Sequence, residues 1–441
     1  MIAYYVRLAL KSFRRNPGLT ALMAIAIALG IAVCDVTITV YHAMSGNPIW
    51  WKNERLYAVT MDLADPVIAG NPKRADLPPW QLSYRDAMAL AAAPIPQRHA
   101  VMYRAGGVFQ VPGPHQAPTP NLVRATNSDF FAMFDVPFLY GGSWRTADES
   151  APVVVLTREM NDKLFGGANS VGRTVRFNDV PFRVVGVIDH WYPLPKFYDL
   201  NDGPFDPPEA AFLPLGWATH TELGADGDTE CWRPPATSDW RGFINSDCTW
   251  LQMWVELPSA KDRQRMQSYI DAYWQQQRQA GRFLRPRNNH LSNVSQWLAD
   301  NEVVRNDDRM LLAIAFAFLG IALINTVVIL LAKFLGRASL MGVRRALGAS
   351  RKQIMLQHLV EVSLIAGLGA LLGLGLAALG LHGVHTLYAG PLRGGYQELT
   401  HFDLTSVLAT VALALVCAAA AGLYPAWRVG RLPPTTYLKN Q

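Results

Sequence analysis

Charge is scarce in this sequence. Asp, Glu, Lys and Arg make up only 17% of its 441 residues, while 50% are hydrophobic. That balance excludes an ordinary soluble protein, which needs more polar surface to stay in water. Cysteine is scarcer still at four residues, too few for a disulfide-built scaffold. No GxxxxGK[ST] loop occurs, nor even a Gly-Lys dipeptide. Nucleotide phosphates therefore find neither the nest of backbone amides nor the lysine that such a loop supplies. HExxH and GxSxG are missing as well. Asp189 and His190 adjoin each other at an expected strand end, but no nucleophile is arranged with them, and a surface loop is the simpler reading. These residues read as noncatalytic, with no cofactor and no metal of their own.

What is present is apolar and arranged in blocks. Residues 19–41, 310–334, 360–381 and 404–423 are long enough to cross a bilayer, which takes roughly 20 helical residues. The first block follows Lys11, Arg14 and Arg15 as a signal peptide would. No clean small-residue cleavage pattern follows, so an uncleaved anchor is expected. Between the first two spans, residues 42–309 hold 26 Lys/Arg and 30 Asp/Glu, a net of −4. Three other segments are basic and carry no acid. They hold Arg7, Lys11, Arg14 and Arg15 before the first span, six bases from Lys333 to Lys352, and Arg428, Arg431 and Lys439 in the tail. The positive-inside rule then places both termini and the connector in the cytoplasm, and 42–309 outside. The net charge of +6 follows from this topology and makes no case for nucleic acid.

The expected organisation is a membrane protein of four transmembrane α-helices, with a large α+β external domain inserted between the first and second. In order these are an amphipathic helix on the inner leaflet (1–18), a span (19–41), the external domain with a core and a second lobe (42–309), and a span (310–334). A connector (335–359), a span (360–381), a short external loop (382–403), a span (404–423) and a tail (424–441) complete it. In the first segment Tyr4, Leu8 and Phe13 stand among bases.

The clearest external pattern is 152–189. It predicts a buried strand over Val153–Leu156 and a short helix over 159–165 closed by Gly166-Gly167. Two strands, Thr174–Phe177 and 182–187, should pair across Asn178-Asp179. Residues 190–250, rich in Pro, Trp, Asp and Gly, read as an irregular excursion rather than core. Cys231 and Cys248 lie within it and, in an oxidising compartment, form the expected disulfide. A strand near 249–257 and a helix over 258–281 follow.

Polar residues within the spans are few. Asp35 is expected to face the bundle, water or the interface, with a position near the headgroups favoured, and Asn325 is expected to hydrogen-bond a neighbouring helix. Gly369, Gly373 and Ala377, four residues apart, share one helical face, either packing within the bundle or forming a dimer seam.

The connector contains "MGVRRALGASRKQI", residues 341–354. From Arg337 to Leu347 it is helical in propensity, with Leu340, Val343 and Leu347 on one face. Gly348 suits a helix C′ position, and Ser350 with Gln353 forms a capping-box pattern opening the next helix. Simple anchoring would need the bases but neither the turn nor the cap. A protruding helix–turn–helix knuckle that docks a cytoplasmic partner is the favoured reading.

That stretch resembles the connector of the MacB/FtsX-type ABC transporter permeases, the type VII mechanotransmission family. "PVVVLTREMNDKLFGG…VGRTVRF…PFRVVGV" resembles the family's periplasmic core domain, "YPAWRVGRLPPTTYLK" its C-terminal signature, with Tyr424, Pro425, Ala426 and Arg428 matching, and "RRNPGLTAL" its first span. The resemblance implies a multi-pass permease of the bacterial inner membrane whose external domain is periplasmic. It also implies that Arg337, Met341, Gly342, Val343, Arg344, Arg345, Ala346, Leu347, Gly348, Ala349 and Ser350 contact a cytoplasmic ABC ATPase dimer, with ATP and Mg bound there. A second permease, identical or different, and a periplasmic adaptor are further implied partners. Export of a peptide, antibiotic or lipid-linked cargo, an FtsX-like scaffold activating a cell-wall enzyme, and lipoprotein extraction all share this architecture, with the large external domain favouring export. Leu340 departs from the family's usual acid two positions before the connector glycine. The Cys231–Cys248 segment has no counterpart in the family pattern, and the fused ATPase of full MacB proteins is not found in this sequence.

Overall fold

The computed structural model describes residues 2–63, 77–110, 119–206, 208–336, 343–344 and 347–387, with residues 412, 413, 416, 417 and 422 beyond them. It divides into two compact units, one of Gly46–Val303 and one of the remaining chain.

Two helices open the chain, α1 (Ile2–Arg15) and α2 (Pro17–Ser45). Helix α1 buries Tyr5, Ala9 and Ser12, one stripe at helical spacing, and exposes Tyr4 and Leu10. Pro17 begins α2, where a missing backbone N–H leaves no bond unmade.

The external unit then runs β1 (Leu56–Thr60), β2 (Leu82–Ser83), α3 (Tyr84–Ala91), β3 (Arg98–Gln110), β4 (Thr119–Thr126), α4 (Asp129–Met133), β5 (Phe138–Gly141) and β6 (Val153–Leu156). It continues with α5 (Arg158–Phe165), β7 (Thr174–Phe177), β8 (Val180–Ile188), β9 (Ala211–Pro214), α6 (Leu215–His220), α7 (Trp240–Ile244), β10 (Thr249–Glu256), α8 (Ala260–Gln279), β11 (His290–Asn293) and α9 (Val294–Asp300). Local chemistry sets these boundaries. Thr157 caps α5 by accepting from the Met160 amide at 3.3 Å, and Gly166 ends it at φ +67°. Asn178 and Asp179, at φ +45° and +67°, make the left-handed pair that a two-residue hairpin loop demands.

The strands form one mixed sheet in the order β11-β1-β10-β3-β4-β9-β6-β8-β5. Strand β7 pairs with both β3 and β8, so β3-β4-β9-β6-β8-β7 closes into a ring. The 13-residue β3 joins this ring to an open sheet, because Arg98–Met102 pair with β10 while Phe109 and Gln110 pair with β7. Phe109, Val123, Val175, Phe177, Phe182 and Val184 are fully buried in the core. The expected second lobe is therefore a continuation of the same sheet, within one unit.

Gly107 makes the seam possible. A Cβ there would run into the Phe177 ring. Replacing Gly107 with Val should destabilise the external unit by about 1–3 kcal/mol, an overpacking cost. Hydrogen exchange on the full chain should show lost amide protection in β3 and β7.

Residues 190–250 differ from expectation. They insert β9 in the sheet, parallel to β4 and antiparallel to β6, and they bury Phe197, Tyr198, Leu200, Phe205 and Trp217. A four-residue strand ending at Pro214 is too short to produce a readable period, and its partners lie far away in sequence. Cys231 and Cys248 are disulfide-bonded, with Cα atoms 4.1 Å apart.

The same segment carries buried charge. Arg124 of β4, with no exposed side-chain surface, contacts both Asp199 and Glu209; Lys196 lies 3.4 Å from Glu209, and Gln252 donates to Asp199 at 3.1 Å. Burial would raise both acids, but Arg124 and Lys196 hold them well below the usual range, Glu209 at about 2. Asp202 goes the other way. Burial and the neighbouring Asp199 push it up to about 7, despite Arg104 at 3.4 Å.

A folded-state value above the unfolded one means that the closed form binds the proton more tightly. Stability of the 199–228 region should rise as pH falls through about 7, and fall as pH rises through it. Hydrogen exchange corrected for intrinsic rates should slow there between about pH 8 and about pH 6, and Asp202→Asn should flatten that dependence.

Candidate functional site

The membrane unit continues with α10 (Asn306–Leu335) and α11 (Arg351–Leu387). Asp307 and Asp308 sit in the first turn of α10, where acids suit the helix dipole. Among the described residues, α2, α10 and α11 are the helices long and apolar enough to cross a membrane. The expected fourth span, 404–423, lies almost wholly outside the described residues.

The expected small-residue stripe lies against α2. A Cβ on Gly369 would come within 2.7 Å of Ile27 and 3.2 Å of the Ala24 carbonyl; one on Gly373 would come within 3.0 Å of the Ala28 carbonyl. Ala377 is fully buried on the same face. These residues therefore let α2 and α11 approach closely within one chain. Asp35 is only 2% exposed and faces the bundle, one of the placements expected of it. Asn325, expected to bond a neighbouring helix, is exposed instead; its neighbour Thr326 is the buried one and donates to the Ala322 carbonyl at 2.8 Å.

The connector joins α10 to α11. Of its expected contact residues, Arg337, Met341, Gly342, Arg345 and Ala346 lie outside the described residues, as does Leu340. Val343, Arg344, Leu347, Gly348, Ala349 and Ser350 are described, and they form a compact turn. The Ala349 amide donates to the Arg344 carbonyl at 3.0 Å across Gly348, whose φ is +99°. This six-to-one bond over a left-handed residue is the Schellman closure of a helix. A reciprocal capping box follows at once. The Ser350 amide donates to Gln353 at 2.9 Å, and the Gln353 amide to the Ser350 hydroxyl at 3.3 Å. Arg344 ties the arms together by donating to Gln357 at 2.8 Å. Val343 is 48% exposed and Leu347 82%. The turn thus presents apolar side chains on a fixed backbone.

Below this turn lies a cluster the sequence reading missed. Lys333, near the end of α10, pairs with Glu361 of α11 at 2.8 Å, with side-chain exposures of 0% and 3%. Ser12 of α1 donates to the same Glu361. The Lys333 ammonium lies 5.5 Å from the Phe13 ring, and the His358 and Phe334 ring centroids are 4.0 Å apart with the rings tilted by 45°. Three helices are therefore joined through one carboxylate. A signal was present, because Glu361 is the single acid between Arg309 and Glu398. An isolated acid in an apolar run needs a partner.

No group of His, Cys, Asp and Glu among the described residues could hold a metal ion. Asp189 accepts from Arg158 at 2.8 Å and lies on the surface with His190. The His190 amide and Arg158 hold it below the usual carboxylate range.

Comparison with known proteins is consistent with this architecture. Residues 20–273 match the MacB-like periplasmic core domain, and residues 312–434 the FtsX-like permease C-terminal domain. The chain belongs to the MacB/FtsX family of ABC transporter permeases, with membrane-spanning helices and a periplasmic domain. Among its relatives, the pyoverdine export ATP-binding/permease protein PvdT of Pseudomonas aeruginosa is 25% identical over 325 residues, covering 72% of this chain and 42% of that protein. The macrolide export ATP-binding/permease protein MacB of Azoarcus sp. is 24% identical over 450 residues, covering 99% and 59%. The chain thus spans about half the length of the curated relatives it matches. Among solved structures, the periplasmic region of MacB from Actinobacillus actinomycetemcomitans aligns at a TM-score of 0.36 and 14% identity, covering 56% of this chain and 92% of that one. The extracellular domain of YknZ from Gram-positive bacteria aligns at 0.35 and 12%, covering 54% and 100%.

Removing one partner of a buried ion pair leaves the other charge stranded, at a cost of about 3–5 kcal/mol. Glu361→Ala should lower the detergent unfolding temperature of the full chain markedly. Combining Lys333→Met with Glu361→Leu should restore most of the loss, and an unchanged single variant would contradict the assignment of the pair.

Proposed function

We propose that this chain is the permease subunit of an ATP-driven exporter, and that the 335–359 connector is its coupling element. The carrying observation is the closed turn at Gly348, which holds Val343 and Leu347 exposed on a backbone fixed at both ends. In this reading the connector and both termini face the cytoplasm of a bacterial inner-membrane protein, as the basic flanks favour. An ABC ATPase on a separate polypeptide binds ATP and Mg and moves the connectors as it closes. The Lys333–Glu361–Ser12 cluster carries that motion into α10, α11 and α1 together. The external unit responds on the periplasmic side. Relatives named for pyoverdine and macrolide export support an export role, with the cargo class a peptide, antibiotic or lipid-linked molecule.

Pairing with a second permease is part of the proposal. Asn325 is an exposed amide within a spanning helix, and hydrocarbon offers it no partner. A facing helix of another permease would supply one.

The test separates docking from folding. Leu347→Asp, and Arg344→Glu combined with Arg345→Glu, should each abolish ATPase binding in pull-down from membranes while insertion and yield stay unchanged. Retained binding in both variants would contradict the assignment.

A further inference from the structure

Within the external unit, Trp50 is 72% exposed and Trp51 53%. They are the most exposed large apolar side chains among its described residues; Leu284 follows at 48%, and Val108 and Val171 at 38%. Exposed tryptophan is unusual on a soluble domain, because each indole leaves a large apolar face in water.

The turn that carries them is firmly held. Lys52 donates to the Ala132 and Met133 carbonyls at 3.1 and 3.0 Å and to Asp135 at 2.6 Å. The Trp51 indole donates to the other Asp135 oxygen at 2.9 Å. On the opposite side, Asn47 donates to Asn53 at 2.8 Å and to Ser295 at 3.0 Å. The indoles therefore stand out from a backbone pinned to α4 and α9. Their rings meet edge to face, 5.9 Å apart.

Their place in the chain identifies what covers them. Helix α2 has 29 residues and is about 43 Å long, close to the roughly 40–45 Å of a bilayer with its headgroups. It ends at Ser45, so the chain leaves the membrane at headgroup level. Five residues on, even a fully extended chain has moved less than about 18 Å. Indole suits this zone, with an apolar body for the acyl boundary and, at Trp50, an N–H for water or lipid esters, that of Trp51 being held by Asp135.

We propose that Trp50 and Trp51 form an interfacial anchor, seated among the lipid headgroups of the leaflet from which α2 emerges. The anchor keeps the external unit at the membrane surface. Resting on the coupling role proposed above, it makes that unit follow α2 instead of letting a slack linker absorb the movement.

The test uses the full chain in nanodiscs of phosphatidylethanolamine and phosphatidylglycerol. Cys34 and Cys417 are buried and the other two cysteines are bonded, so an introduced cysteine can be labelled selectively. An environment-sensitive fluorophore on Trp50→Cys should emit to the blue of the same label on Arg145→Cys, a site 86% exposed. Lipids brominated near the glycerol should quench it, and aqueous iodide should quench it several-fold less than the control. Trp51→Cys serves as an independent second site. Iodide quenching equal to the control at both sites would overturn the anchor. So would protection from both quenchers, which would mean that protein covers the turn. Neither readout involves the ATPase, so the anchor and the coupling assignment can fail separately.

Discussion

The ion pair between Lys333 and Glu361 lies where α10 ends and α11 begins, and Ser12 of α1 donates to the same carboxylate. A buried pair contributes little net stability, since desolvation offsets most of its attraction. What it supplies is position, because neither charge can leave without stranding the other. The connector above it is closed by a Schellman bond and a capping box, both backbone devices with little slack. On the proposed coupling role, force applied at Leu347 would enter α11 through this turn, and Glu361 joins α11 to α10 and α1.

Rigidity continues along the bundle by a different means. Gly369 and Gly373 bring α11 against α2 at backbone distance, and Cys34 of α2 donates to the Ala315 carbonyl of α10 at 3.2 Å. In the external unit, β3 belongs both to a closed ring of strands and to an open sheet, so displacement of one part is felt by the other. Arg124 and its two acids lock the 190–210 region onto that sheet from inside.

Much of this was legible in the sequence, for physical reasons that can be named. Val153–Leu156 and Thr174–Phe177 were placed to the residue because each is bounded by a cap, a glycine or a turn pair. Gly348 and Ser350 were placed because capping is local chemistry within a few residues. The membrane-spanning helices α2, α10 and α11 and the external domain between the first two followed from apolar block lengths. What was not legible depends on distance. Strand β9 has partners at 123–126 and 155–156, and its short run carries no period. Glu361 has His358 of its own helix at 3.8 Å, but its closer partners are Lys333, 28 residues earlier, and Ser12, 349 residues earlier. Tertiary pairing of buried charge leaves no pattern in a local window. An isolated acid amid apolar residues is the most that shows.

The central proposal is that the connector is the seat of an ABC ATPase. Its most direct test is mass spectrometry of everything that co-purifies with this chain from its native host in mild detergent, with nucleotide trapped. The account predicts a small ABC ATPase in the complex, together with this permease alone or with a second one. A complex without any ATPase under those conditions would contradict it, and the bases of the connector would then serve only to orient the chain in the membrane.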